Sequence, residues 1–218
     1  MLYQDLAEEA EQILRLNWRD GFTVPTNKLY PFQWNWDSGF TCLGHAYFEP
    51  EWAIRELNSL FSGQWENGMI PHIIFHSETE TSYFPNHDFW NTTVNPGAPQ
   101  KPKTSGITQP PVHGFILEKL LAKFPNDYRD PKREGLAFLY HPWETGRDNS
   151  PLWDESNARI QIDKSTLPAY TRQDTKLADK KERPTSDQYD RFVYMLELGK
   201  RHQYDGEGIF EESPVLLQ

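Results

Sequence analysis

The sequence predicts an all-α domain, and three observations carry that expectation. Apolar residues recur at spacings of three and four along most of the chain. Prolines and capping residues stand where those stretches begin. The aromatic and polar clusters lie just before the predicted helix starts, so helices standing side by side would gather them on one face.

The elements follow in order. Leu6, Ala10, Ile13, Leu14 and Leu16 predict a helix over 5–17, with acidic residues early and Arg15 late. Asp37-Ser38 reads as the cap of a helix over roughly 39–47. Pro50 opens the next, with Trp52, Ile54, Leu57, Leu60 and Phe61 as its apolar set and Gly63 as its stop. Residues 63–108 form a long connection rich in Gly, Pro, Asn, Ser and Thr, of a length that is usually functional. Its apolar run, Ile70 to Phe75, reads as packed loop or a short strand. Gln109-Pro110-Pro111 opens a helix with Phe115, Ile116, Leu117, Leu120 and Leu121 on a wide apolar face. Pro131 starts a short helix ending near Tyr140, and Ser150-Pro151 starts another. Residues 163–184 are charged and read as a second surface excursion. Thr185-Ser186-Asp187 opens the last long helix, through His202.

Composition excludes several classes. With 22 basic and 32 acidic residues in 218, the net charge of −10 argues against nucleic-acid and anionic-membrane partners. A single cysteine, Cys42, excludes an internal disulfide framework and any paired-cysteine zinc or redox site. There is no apolar run of roughly 18–20 residues and no signal-peptide pattern, so the expectation is a cytoplasmic protein. Aromatics make up 14% of the chain, a composition suited to uncharged polar ligands such as sugars.

Two clusters carry candidate chemistry. In Trp143-Glu144-Thr145-Gly146-Arg147-Asp148-Asn149-Ser150-Pro151, Gly146 permits a tight turn and Asp148 projects from it. Asp148 is either an acid or a helper in capping the next helix. As an acid it faces a tension: a helix start favours carboxylate, whereas burial against Trp143 or Trp153 would favour the protonated form. In Trp34-Asn35-Trp36-Asp37, an extended segment would point both tryptophans one way and Asp37 the other, as a stacking platform with a hydrogen-bonding carboxylate. Two core tryptophans and a helix cap is the other reading. His72 and His76 have metal-like spacing only on a helix, which Pro71 and Ile73-Ile74 oppose, so no metal site is expected. His113 reads as a core histidine. Arg183 and Tyr189 reach the shared face, or Arg183 forms a surface ion pair.

Four motifs then stand in a fixed order: Gln33 to Phe40, Gly68 to His72, Thr104 to Pro111, and His141 to Pro151. Together they resemble glycoside hydrolase family 63, in particular its mannosylglycerate and glucosylglycerate hydrolase branch, from about Tyr30 onward. The resemblance implies an (α/α)6 barrel, a six-hairpin toroid with the site at one end of its inner helices. It implies an inverting glycosidase with Asp148 as general acid. It also implies that Tyr30, Trp34, Trp36, Asp37, Gln109, Trp143 and Gly146 line the sugar subsite, with Tyr83 on a lid. Arg183 and Tyr189 resemble the pair that holds the glycerate end. No cofactor and no metal are implied; the expected partner is a small carbohydrate, and a homo-oligomer stays open.

One departure accompanies the resemblance. The family's general base, a Glu, has no match here; Glu211 and Glu212 fall in the wrong context. Twelve helices of roughly 12 residues with connections exceed this length. The expectation is therefore an incomplete N-terminal portion of the barrel, with its base beyond Gln218, apolar helix flanks uncovered and no activity by itself. Two competing readings remain: a non-catalytic carbohydrate-binding protein, which would lack the second carboxylate, and a helical scaffold whose tryptophans are inaccessible.

Overall fold

In the computed structural model, residues 2–26, 28–77, 83–123, 141–205 and 209 are described. The helix expected between Pro131 and Tyr140, Glu211 and Glu212 lie outside them.

Helices α1 (Leu2–Asn17), α2 (Asn35–Phe48) and α3 (Pro50–Ser62) form the first layer. Pro50 sits in the first turn of α3 and Gly63 closes it, as the sequence predicts. Helix α2 starts at Asn35, four residues before the expected start. Trp34 is its N-cap and makes no side-chain cap bond. The first-turn amides are satisfied from far away: Asn35 N–H donates to the His72 carbonyl at 3.0 Å and Trp36 N–H to Gln109 Oε1 at 3.1 Å. Distant acceptors replace the local cap, so Trp36 and Asp37 are helical, not extended.

Short strands β1 (Gln33–Trp34), β2 (Ile73–Phe75) and β3 (Lys103–Thr104) make an antiparallel sheet in that order. Gln33 pairs with Ile74, and Ile74 with Thr104. The apolar run within the long connection is thus a buried central strand. Helix α4 (His87–Trp90) follows β2, and α5 (His113–Lys123) follows β3. Gly39 lets α5 approach α2, since a Cβ there would lie 2.9 Å from Val112. Cys42, Ala46, Ala53, Leu57, Ile116 and Leu120 fill the space between α2, α3 and α5.

Helices α6 (Asp154–Arg159) and α7 (Asp174–Leu177) are each under two turns, and α8 (Ser186–Arg201) is long. Ser150 caps a 3-10 turn at Pro151–Trp153 that runs into α6. Thr185 and Gln188 form a capping box on α8. Residues 163–184 are mostly exposed, as a surface excursion would be, but Asp174 at the start of α7 is buried. Leu6, Ile13 and Leu16 on α1, Phe40 and Tyr47 on α2, and Phe115 on α5 are exposed. Among the described residues no helix is long and apolar enough to cross a membrane.

Candidate functional site

The starts of α2, α7 and α8, the turn at 143–149 and Gln109 before α5 converge on a pocket of about 280 Å³. All eleven residues singled out from the sequence line it: Tyr30, Trp34, Trp36, Asp37, Tyr83, Gln109, Trp143, Gly146, Asp148, Arg183 and Tyr189. The structure therefore brings together residues drawn from most of the length of the chain.

The aromatic wall is built from the core outward. Trp34 is 4% exposed, so it belongs to the core and to the pocket wall at once. Its indole N–H donates to His72 Nε2 at 3.1 Å, which fixes the ring. Tyr30 and Tyr83 meet it edge-on, with centroids 5.0 and 5.5 Å away. Trp143 stands edge-on to Tyr189 at 5.6 Å and to Phe192 at 5.9 Å. His141 holds the Trp143 turn. Its Nδ1 accepts from Trp143 N–H at 3.1 Å and its Nε2 donates to the Phe192 carbonyl at 3.1 Å, so it is neutral.

Glu144 joins two walls. Its carboxylate accepts the N–H of His141 at 2.8 Å and that of Thr108 at 3.0 Å. Gln109, next to Thr108, then reaches Trp36 N–H. Gly146 takes φ +63°, a conformation disfavoured for side chains, and a Cβ there would lie 3.6 Å from the Trp36 ring. That turn aims Asp148 at the cavity.

The polar end is a charge ladder. Arg172 grips Asp174 with two bonds, at 3.0 and 2.5 Å. Arg183 bonds the same Asp174 at 3.3 Å and faces Asp148 Oδ2 at 3.6 Å. Arg172 also stacks over Tyr189, 4.3 Å from its centroid. Burial pushes the Asp148 carboxyl up, against the opposing pull of Arg183 and a backbone hydrogen bond. The tension expected at this helix start thus resolves toward the protonated form. Burial likewise lifts Asp37 to about 6. Asp174 is held low: burial raises it, and the two arginines more than offset that. Sequence reading missed Asp174 and Gln173. The available signal was the Arg172-Gln173-Asp174 alternation upstream of Arg183.

Among the described residues no His, Cys, Asp and Glu side chains cluster in threes as a metal site. His72 is a buried neighbour of Trp34, and His113 is buried with its ring against Phe61.

Helix starts gather an aromatic pocket around a carboxyl that burial lifts above its ordinary range. The fold is that of the α/α-barrel glycoside hydrolases, whose family 63 mannosylglycerate hydrolase from Thermus thermophilus in complex with Tris superposes with a TM-score of 0.82 at 39% identity. The chain belongs to the mannosylglycerate hydrolase MGH1-like glycoside hydrolase family, which matches residues 30–127 and 116–216. It is 40% identical to a mannosylglycerate hydrolase from Rubrobacter radiotolerans over 99% of this chain and 54% of that protein. It is 37% identical to a glucosylglycerate hydrolase from Mycolicibacterium hassiacum, over 93% of this chain and 51% of that protein. The crystal structure of the family 63 mannosylglycerate hydrolase from Thermus thermophilus in complex with Tris and D-glycerate superposes with a TM-score of 0.81 at 39% identity, over 96% of this chain and 54% of that chain. The chain spans about half the length of these relatives.

Proposed function

We propose that this chain carries the sugar- and glycerate-holding part of a glycosidase that cleaves an α-linked glucosyl or mannosyl glycerate with inversion. The observation that carries the reading is the pair Asp148 and Arg183, 3.6 Å apart in one pocket. A carboxyl biased toward its protonated form stands beside a fixed guanidinium able to bind a carboxylate. Asp148 donates its proton to the glycosidic oxygen as the C–O bond to the anomeric carbon breaks, and the glycerate leaves as a neutral alcohol at that oxygen. Water adds to the anomeric carbon from the opposite face, and a second carboxylate takes its proton, about 6.5–9.5 Å from the acid. We assign that base to a part of such an enzyme that these 218 residues do not include, and we expect the chain by itself to be inactive.

Trp36 and Trp143 flank the sugar, while Asp37 and Gln109 hydrogen-bond its hydroxyls. Tyr30, Trp34 and Gly146 shape the subsite, and Tyr83 closes it. Arg183 and Tyr189 hold the glycerate carboxylate and hydroxyl. No cofactor takes part.

The test is hydrolysis of mannosylglycerate and glucosylglycerate by the whole protein, with the anomer of the first-formed sugar read by NMR. D148N should abolish turnover while ligand binding persists. Unchanged hydrolysis in D148N would sink the acid assignment, a retained anomer would sink inversion, and binding without turnover in the wild type would leave a carbohydrate-binding protein.

A further inference from the structure

Below the pocket lies a buried polar cluster that the proposed reaction does not use. Glu56, on α3, is fully buried. Its Oε1 accepts from Ser38 Oγ at 2.5 Å and from Gln33 Nε2 at 2.8 Å, and its Oε2 accepts from Thr23 Oγ1 at 2.6 Å. Gln33 is saturated as well. Its Nε2 also donates to the Glu56 carbonyl at 3.1 Å, and its Oε1 faces Ser59 Oγ at 2.9 Å and His76 Nε2 at 2.8 Å. Thr23 spends its proton on Glu56, so toward His45 Nε2, 2.8 Å away, it accepts. His45 then carries its proton on Nε2, in agreement with a buried Nδ1 that has no partner among the described residues.

A buried carboxyl is a poor way to gain stability, because taking it out of water is costly and its hydrogen bonds mainly offset that cost. Sequence positions supply the reason for it. Gln33 and Ser38 immediately flank Trp34–Asp37, the segment that gives the pocket Trp34, Trp36 and Asp37. Thr23 precedes the stretch that gives it Pro25, Leu29 and Tyr30. One carboxylate thus gathers both ends of one pocket segment and the root of another.

We propose that Glu56 is a positioning residue: through Gln33 and Ser38 it fixes where Trp34, Trp36 and Asp37 stand in the pocket. The inference rests on the functional reading of that pocket. Ser38, Gln33 and both the hydroxyl and backbone N–H of Thr23 donate to the Glu56 carboxyl, so its role is to accept hydrogen bonds; burial lifts it to about 7 against their pull. Gln keeps most of that work. Its carbonyl accepts from Ser38 and Gln33, and its amide donates to the Thr23 hydroxyl, which turns to His45 Nε2 as that ring moves its proton to Nδ1; only the Thr23 backbone N–H loses its acceptor.

The experiment compares E56L, E56Q and S38A in the whole protein by hydrogen–deuterium exchange and by kinetics on mannosylglycerate and glucosylglycerate. In E56L, exchange over residues 34–38 should quicken about tenfold while α8 stays protected, and kcat/KM should fall about 10–100-fold, the scale of a 1 Å misplacement. E56Q, which keeps the Ser38 and Gln33 arms, should recover most of both losses. If E56L does not fold, S38A cuts one arm and should show the same pattern at about 3–10-fold. Exchange over 34–38 that is unchanged, or that rises equally in α8, overturns the proposal. So does E56Q being as impaired as E56L. The expected exchange pattern in a wild type that hydrolyses neither compound overturns the functional reading and leaves the positioning role standing.

Discussion

Asp148 and Asp37 are both carboxyls that burial holds above their ordinary range, and each has a measurable consequence. Arg183 pulls Asp148 down. Removing that guanidinium in R183M should therefore raise the acid further and move the alkaline limb of the kcat/KM profile to higher pH; a limb that stays put or falls would place the acid elsewhere. Asp37 works against the fold. Lifted from 3.8 to about 6, its ionised form costs nothing below pH ~4, where both folded and unfolded states are protonated. The penalty grows between pH ~4 and ~6 and is complete above that. D37N should thus stabilise the protein by about 2–3 kcal/mol at pH ~8 and by almost nothing at pH ~4, measured by denaturant melts. A gain that is equal at both pH values would mean that burial is not the cause. These residues could be found from sequence because their motifs are contiguous. Asp174 could not, because its meaning lies in Arg172 and Arg183 closing on it from both sides, and in isolation it is one more charge in a polar stretch.

At the scale of elements, helix starts decide where the site is, and they differ in how they are capped. The start of α8 is local: Thr185 and Gln188 cap each other's backbone, so the sequence predicts its start correctly. The start of α2 is not local. His72 and Gln109, 37 and 73 residues downstream, accept its first amides, so the local pattern places the helix four residues late. The three-stranded sheet is hidden for a related reason. Strands of two or three residues carry almost no periodicity, and their pairing is long-range. Glu144 is the joint between two such starts, taking a backbone N–H on each oxygen. In E144Q the amide nitrogen would face one of those N–H groups and leave it unsatisfied. The expected loss is about 1–3 kcal/mol, with kcat/KM falling more steeply than the melting temperature because Gln109 loses its tether. A melting temperature that drops with kcat/KM unchanged would show that the joint serves stability alone.

For the molecule as a whole, the pocket is also the place where remote parts of the chain meet. Its walls come from residues 25, 29–30, 34, 36–37, 72–73, 83–85, 109, 143, 146, 148–149, 173–174, 183 and 189. A ligand there bonds to segments that unfolding would scatter, so it binds the folded state only and must stabilise it. At a hundredfold excess over Kd the gain is about 2.7 kcal/mol, which for a domain of this size is a rise of about 5–10 °C in melting temperature. On the proposed reading D-glycerate and a free monosaccharide should each raise it, the first at the Arg183 end of the cavity and the second at the tryptophan end. Arg183 separates the two. In R183M the shift with D-glycerate should vanish, whereas the shift with glucose or mannose should stay within about 1 °C of the wild-type value. A glycerate shift that survives R183M would mean that the carboxylate is held elsewhere. Loss of both shifts would mean that Arg183 braces the whole polar wall through Asp174, and the charge ladder would then be part of the scaffold and not of the ligand's recognition.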